Sequence, residues 1–78
     1  MLTISVRLFA QLREAKGEET VTINVSAGST LREVYEQLFE GPLRALPIAF
    51  ARNDTYAKPT DVVEDGDNVA FLPPVGGG

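Results

Sequence analysis

Residues 2–9 alternate apolar and polar positions: Leu2, Ile4, Val6 and Leu8 share one face of an extended chain, and Thr3, Ser5, Arg7 and Phe9 share the other. A period of two predicts a half-buried opening strand. Ala10–Lys16 (AQLREAK) consists of good helix formers and stops at Gly17, so it reads as a helical turn inside a long connection, not a tight hairpin. Alternation returns from Thr20 to Val25, with Val21, Ile23 and Val25 on one face. An antiparallel pair with the first strand is expected. Ser26-Ala27-Gly28-Ser29 is a turn cluster, and Thr30-x-x-Glu33 fits a capping box, in which the two side chains satisfy N–H groups that a helix start leaves free. Leu31, Val34, Tyr35, Leu38 and Phe39 then fall at helical spacing and form one apolar stripe, ended by Gly41-Pro42. This segment predicts the one main helix.

The second half reads as strands again. Ile48–Ala51 predicts a strand, Arg52-Asn53-Asp54 a turn, and Tyr56-Ala57 a short strand before Lys58-Pro59. Asp61-Val62-Val63 leads into Glu64-Asp65-Gly66-Asp67, a turn with glycine where positive φ is needed. Asn68–Leu72 predicts the last strand, stopped by Pro73-Pro74, which cannot donate ladder hydrogen bonds. The last strand is apolar on at least one face, as is the first, and the two are expected side by side in the sheet interior. The class is α+β: a mixed sheet of four to five strands on one main helix, the pattern of a β-grasp (ubiquitin-like) roll.

Composition narrows the chemistry. The 78 residues are enough for one small domain, 44% apolar and 23% charged, which is ordinary for a globular chain. There is no cysteine, histidine or tryptophan. Disulfide scaffolds, zinc fingers, thiol nucleophiles and Ser-His-Asp or Cys-His arrangements are thereby excluded. With a net charge of −4 and seven scattered Lys and Arg, no nucleic-acid partner is expected. No apolar run approaches the roughly 20 residues of a membrane span, and the strict alternation at the start is unlike a signal peptide. The expectation is a cytoplasmic protein with no membrane partner.

The most unusual stretch is the end, Pro73-Pro74-Val75-Gly76-Gly77-Gly78. It is expected as a flexible tail (73–78) on a folded domain (1–72). Fully extended, the segment from Leu72 to Gly78 reaches about 23 Å. Glycine lacks a Cβ, so such a tail can thread a channel too narrow for other residues and present its carboxylate inside a partner. A free α-carboxylate with a pKa of about 3.5 is ionised and a poor electrophile. To transfer anything it must first be activated, as in an acyl-adenylate. The alternative is a frayed terminus with no role.

The tail, together with Asp65-Gly66-Asp67-Asn68-Val69-Ala70 before it, resembles the sulfur-carrier family of ubiquitin-like β-grasp proteins, and within it the small subunits of molybdopterin synthase (MoaD-like). Leu8-Phe9-Ala10-Gln11-Leu12-Arg13-Glu14 ahead of Gly17 is similar to the family's N-terminal signature, and Asn53 stands where the family usually has asparagine. The glycine that usually follows is Asp54 here, a departure at a turn. Gly77-Gly78 supplies the family's terminal glycine pair.

The resemblance implies a sulfur carrier. An adenylating and sulfurating enzyme, using ATP and Mg, would convert the Gly78 carboxylate to a thiocarboxylate, and the carrier itself would bind no cofactor or metal. The tail, Pro73, Pro74, Val75, Gly76 and Gly77, would enter the large subunit of the synthase, in a heterotetramer, and sulfur would pass to cyclic pyranopterin monophosphate in molybdopterin synthesis. The chain would not be catalytic alone but the sulfur-donating half of a sulfurtransferase. Three alternatives stay open: a carrier for thiazole or another thiocarboxylate route, a ubiquitin-like modifier joined through Gly78 to lysines, and a plain interaction domain.

Phe9, Arg13 and Phe71 are candidates for the partner surface, against the alternative that the phenylalanines are core and Arg13 a solvated helix charge. Asp65-Gly66-Asp67 lacks the further ligands of a calcium loop and reads as a simple turn, and Gly28-Ser29-Thr30 lacks a P-loop lysine and reads as the helix cap. Glu14, Glu18, Glu19, Glu33, Glu36 and Glu40 read as a solvated surface that can steer the chain toward a basic groove.

Overall fold

The computed structural model describes residues 1–74. Its elements run β1 (Leu2–Leu8), α1 (Ala10–Lys16), β2 (Thr20–Val25), α2 (Leu31–Leu38), a 3₁₀ helix (Gly41–Ala45), β3 (Ala49–Arg52), β4 (Thr55–Ala57) and β5 (Asn68–Leu72). The five strands form one mixed sheet in the order β2-β1-β5-β3-β4. β1 pairs antiparallel with β2 and parallel with β5, while β3 is antiparallel to both β5 and β4. This is the β-grasp arrangement expected from the strand and helix order. Among the described residues no helix is long and apolar enough to cross a membrane.

One face of the sheet carries the core. Ile4, Val6 and Leu8 of β1, Val25 of β2, Phe50 of β3 and Val69 and Phe71 of β5 are buried against α2. The alternation in each strand turns these residues inward, and the helical spacing of Leu31, Val34, Tyr35 and Phe39 brings a matching stripe down onto them. Tyr35 lies at the centre, its ring 5.0 Å from Phe39 and edge-on to Phe71 at 5.1 Å and to Phe50 at 6.2 Å. Edge-to-face contacts of this kind contribute about 0.5–1.5 kcal/mol each beyond area burial.

The expected capping box is present: the Thr30 hydroxyl accepts from the Glu33 N–H at 3.1 Å and the Glu33 carboxylate accepts from the Thr30 N–H at 2.9 Å. The helical turn expected at residues 10–16 is a seven-residue helix. It buries Leu12 completely, and Gly17 closes it at φ 74°. The 3₁₀ helix has no counterpart in the expectations, because five residues are too few for a period to show. Interactions at a distance hold it in place. The Tyr35 hydroxyl donates to the Leu43 carbonyl, and the Arg44 guanidinium donates to the Phe39 and Glu36 carbonyls at 2.8 and 2.7 Å. Arg44 thus supplies donors to the carbonyl end of α2, which ends without a left-handed glycine cap.

Two residues, Asn53 and Asp54, join β3 to β4. Asn53 and Asp54 both take positive φ, 51° and 67°, as a two-residue hairpin of primed type requires. Asn53 also fastens the turn to β5. Its N–H donates to the Asn68 carbonyl (2.7 Å), its Oδ1 accepts from the Asn68 N–H (2.9 Å), and its Nδ2 donates to Asp67 Oδ1 (3.0 Å). Asp67, only 6% exposed, accepts in addition from the Glu64 N–H.

Two stability predictions follow from these contacts. Asn53→Ala removes the side-chain bonds and leaves a β-carbon in the left-handed region with no compensating bond, so unfolding should become easier by about 2 kcal/mol. Thermal melts should show a drop of roughly 8–16 °C in Tm for a domain of this size. For Tyr35, burial pushes the phenol above its ordinary value of 10.0, and the nearby Arg32 charge partly opposes that rise. The neutral phenol is therefore the form favoured by folding, and its contribution is complete below pH 10 and is lost as pH climbs beyond it. Tyr35→Phe should cost about 1–2 kcal/mol at pH 7 by leaving the Leu43 carbonyl unpaired. In urea titrations the gap between the two proteins should narrow above pH 10.

Candidate functional site

The parallel pair β1/β5 sets Leu8 beside Phe71 in the sheet centre, both facing the core. The next residue of each strand turns the other way. Phe9 and Leu72 are half-buried on the open face of the sheet, at the end from which the chain leaves through Pro73 and Pro74. Neither proline has an N–H to donate, so the ladder stops there. Arg7, two residues before Phe9 on the same face, places its guanidinium 5.4 Å from the Phe9 ring centroid. Its ion pair with Glu19, 3.7 Å long, joins two side chains that are more than half exposed, and its contribution to stability is small.

Register carries this face across the sheet. Arg7 lies beside Ala70, Ala70 beside Ala51, and Ala51 beside Tyr56. Two methyl groups thus form a low floor between an arginine and a tyrosine that is 80% exposed. A shallow hollow of about 60 Å³ opens there, lined by Arg7, Ala51, Asp54, Asn68, Val69 and Ala70. Its walls offer an apolar floor and a few polar rim atoms, the makings of a docking surface, with no paired nucleophile and base for chemistry.

The structure separates the residues expected at a partner surface. Phe9 lies on the open face beside the exit of the chain, and Arg13 is exposed on α1. Phe71 does not join them. It is fully buried, edge-on to Tyr35 and Phe50, because its place in β5 has the parity of Val69 and faces α2. The surface residue of that strand end is Leu72. Pro73 and Pro74 are placed as part of the exit, whereas Val75, Gly76, Gly77 and Gly78 lie outside the described residues.

Other features resolve into local structure. Asp65 accepts from the Thr3 N–H at 2.7 Å, and Gly66 takes φ 84° in the turn between them and β5. Thr30 is occupied by its capping box. Among the described residues no group of three Asp or Glu side chains converges on a metal position. Sequence reasoning missed Arg7, Ala51, Ala70 and Tyr56. Arg7 and Phe9 share a parity that was legible, but lateral neighbours on four strands depend on register, which a single chain does not show.

Known proteins share this architecture. The solved structure of small archaeal modifier protein 1 from H. volcanii is 26% identical and superposes with a TM-score of 0.82 over 96% of this chain and 100% of its own. In the Helicobacter pylori complex of subunits 1 and 2 of molybdopterin-converting factor, the matching chain is 28% identical with a TM-score of 0.62, covering 99% of this chain and 100% of that one. The molybdopterin synthase sulfur carrier subunit of Arabidopsis thaliana is 31% identical over 96% of this chain and 82% of its own length. The model of the ThiS family matches residues 6–78, nearly the whole sequence, and the chain belongs to that family.

Proposed function

We propose that this chain is the sulfur carrier of molybdopterin synthesis, the small subunit of a molybdopterin synthase, with the sulfur borne on the Gly78 carboxyl group. The observation that carries the proposal is the route of β5. A central strand leaves the sheet at Leu72 beside Phe9, on an open face suited to docking, and the family match continues through the Gly-Gly-Gly end. The likeness to carrier subunits in Arabidopsis thaliana and in the two-subunit Helicobacter pylori complex supports both the pathway and a large-subunit partner.

In this reading an activating enzyme joins the Gly78 carboxylate to AMP from ATP, with Mg, and releases pyrophosphate. A sulfur nucleophile then displaces AMP and leaves a thiocarboxylate. The loaded tail enters the large subunit, and the sulfur passes to cyclic pyranopterin monophosphate. Water restores the carboxylate for another round. The carrier contributes no acid, base or phosphate ligand. It contributes a rigid body for docking through Phe9, Leu72 and the Arg7–Tyr56 row, and an arm ending in three glycines for delivery. Exposed Glu14, Glu18, Glu19, Glu33 and Glu40 favour encounter with a basic partner.

The likeness to a small archaeal modifier favours a second reading, in which a lysine amine attacks the same adenylate. Intact mass spectrometry separates the two. Incubation with the activating enzyme, ATP and a sulfur source should add about 16 Da, one oxygen replaced by sulfur. Conjugates on lysines of other proteins, without that gain, would select the modifier. Gly77→Arg should leave the melting curve unchanged, because β5 ends well before it, and should abolish loading, because a long side chain blocks a glycine-width channel. Undiminished loading of that variant would remove the threading step.

A further inference from the structure

The two edges of the sheet are built differently. β4 is three residues long and is followed at once by Lys58-Pro59, a charge and a residue that cannot extend a ladder. Such devices block pairing with another chain. β2, at the other edge, is six residues of TVTINV with no charge, proline or glycine, and it pairs with β1 through six consecutive residues without a bulge. Its own residues carry none of the usual protection, and only the Asn24 carbonyl is covered, by the Gln37 amide of α2.

The outward groups on β2 can be assigned. The Leu8 N–H donates toward β2, to the Glu19 carbonyl at 2.8 Å, whereas the Ser5 N–H donates toward β5, to the Asp67 carbonyl at 3.0 Å. By alternation, Val21, Ile23 and Val25 direct their backbone groups at β1, and Thr20, Thr22 and Asn24 direct theirs outward. The Gln37 amide agrees with this, since it reaches the Asn24 carbonyl from outside at 3.2 Å. Among the described residues no other strand lies on that side.

The pattern around Thr22 is symmetric: polar, apolar, polar, apolar, polar from Thr20 to Asn24. We propose that the β2 edge is a self-association surface, where a second copy of this chain pairs antiparallel about a two-fold axis at Thr22. Thr22 then meets its own copy and Thr20 meets Asn24, each as a hydrogen-bonded pair of outward groups, with the exposed Gln37 amide sharing or giving up the Asn24 carbonyl it holds. Val21 meets Ile23 on the helix side, so two half-exposed apolar residues cover each other. Glu19 falls opposite Val25 and Glu18 opposite Ser26, so no like charges oppose across the seam. The union makes a ten-stranded sheet and leaves β5 and its exit free in both copies. One strand seam buries less than the roughly 1,200 Å² of a standard interface, so the dimer is transient and fills only at high protein concentration.

The test is sedimentation equilibrium of the whole chain up to about 2 mM, paired with backbone NMR across the same range. Mass should rise from the 8.4 kDa monomer toward twice that, with concentration-dependent shifts centred on the Thr20, Thr22 and Asn24 amides. Thr22→Lys and Thr22→Glu each place like charges face to face on the axis and should weaken association about tenfold or more. An equimolar mixture of the two variants should restore it. Thr22 is exposed and its backbone points away from β1, so both variants should fold, as their melts will confirm. A monomer at every concentration would overturn the proposal, as would association insensitive to either charge or not rescued by mixing. Protection of these three amides only on addition of a different protein would assign the edge to a heterologous strand instead.

Discussion

The parallel pairing of β5 with β1 is the constraint from which the rest of this molecule takes its shape. It joins the first and last described strands at the sheet centre, and a parallel neighbour cannot be reached by a hairpin. The intervening chain must cross over, and α2 with its apolar stripe is that crossover's covering layer. The pairing is pinned at its lower end by Asp65, Gly66 and Asp67, whose side-chain and backbone groups bond Thr3 and Ser5 before the ladder begins. Asn53 then fastens β3 to the same point, so one tight turn and one acidic loop set the register of three strands. Register in turn decides which residues of β5 face the core and which face outward. Phe71 and Leu72 divide on that basis.

Much of this was legible because local and global preferences agree. The capping box at Thr30 and Glu33, the stripe of α2, the alternation in β1 and β2 and the stop at Pro73 each follow from short-range chemistry, and tertiary contacts reinforce them. β1 beside β5 was anticipated from apolar content alone. The 3₁₀ helix was not, because its supports are the Tyr35 hydroxyl and the Arg44 guanidinium, side chains whose reach a linear pattern does not encode. Phe71, which the sequence leaves open between partner surface and core, falls in the core for a related reason. Its closeness to the tail in sequence suggested a surface role, but parity in a strand overrides proximity, and neighbouring residues face opposite sides. The row Arg7–Ala70–Ala51–Tyr56 lay beyond sequence reasoning altogether, since it joins four strands whose offsets are fixed only by folding.

The candidate site is correspondingly a product of topology, with small demands on residue chemistry. Apart from Val69, which is buried, its residues are half-buried or exposed, and the large aromatic cluster that stabilises the domain lies on the other side of the sheet. A change at Ala51, Ala70 or Tyr56 therefore alters what the face presents without opening a cavity in the core, while a change at Phe71 or Phe50 does the reverse. That separation lets the proposed docking face vary with a partner at little cost to the fold. It also fits a chain with no cysteine or histidine, whose proposed chemistry is supplied by other proteins and borne on a carbonyl carbon beyond the sheet.

Strand order adds a last consequence. β5, which bears the exit, is flanked by β1 and β3, and β2 lies two strands away, about 10 Å in the plane of the sheet. A partner seated on the open face over β1, β5 and β3 approaches perpendicular to the sheet, and a strand added at β2 approaches within its plane. The two contacts use different atoms: side chains of Phe9, Leu72 and Tyr56 in the first, backbone groups of Thr20, Thr22 and Asn24 in the second. Geometry alone therefore permits a self-paired carrier to keep both exits in use, and Arg7, which borders the open face and pairs with Glu19 just before β2, lies between the two surfaces.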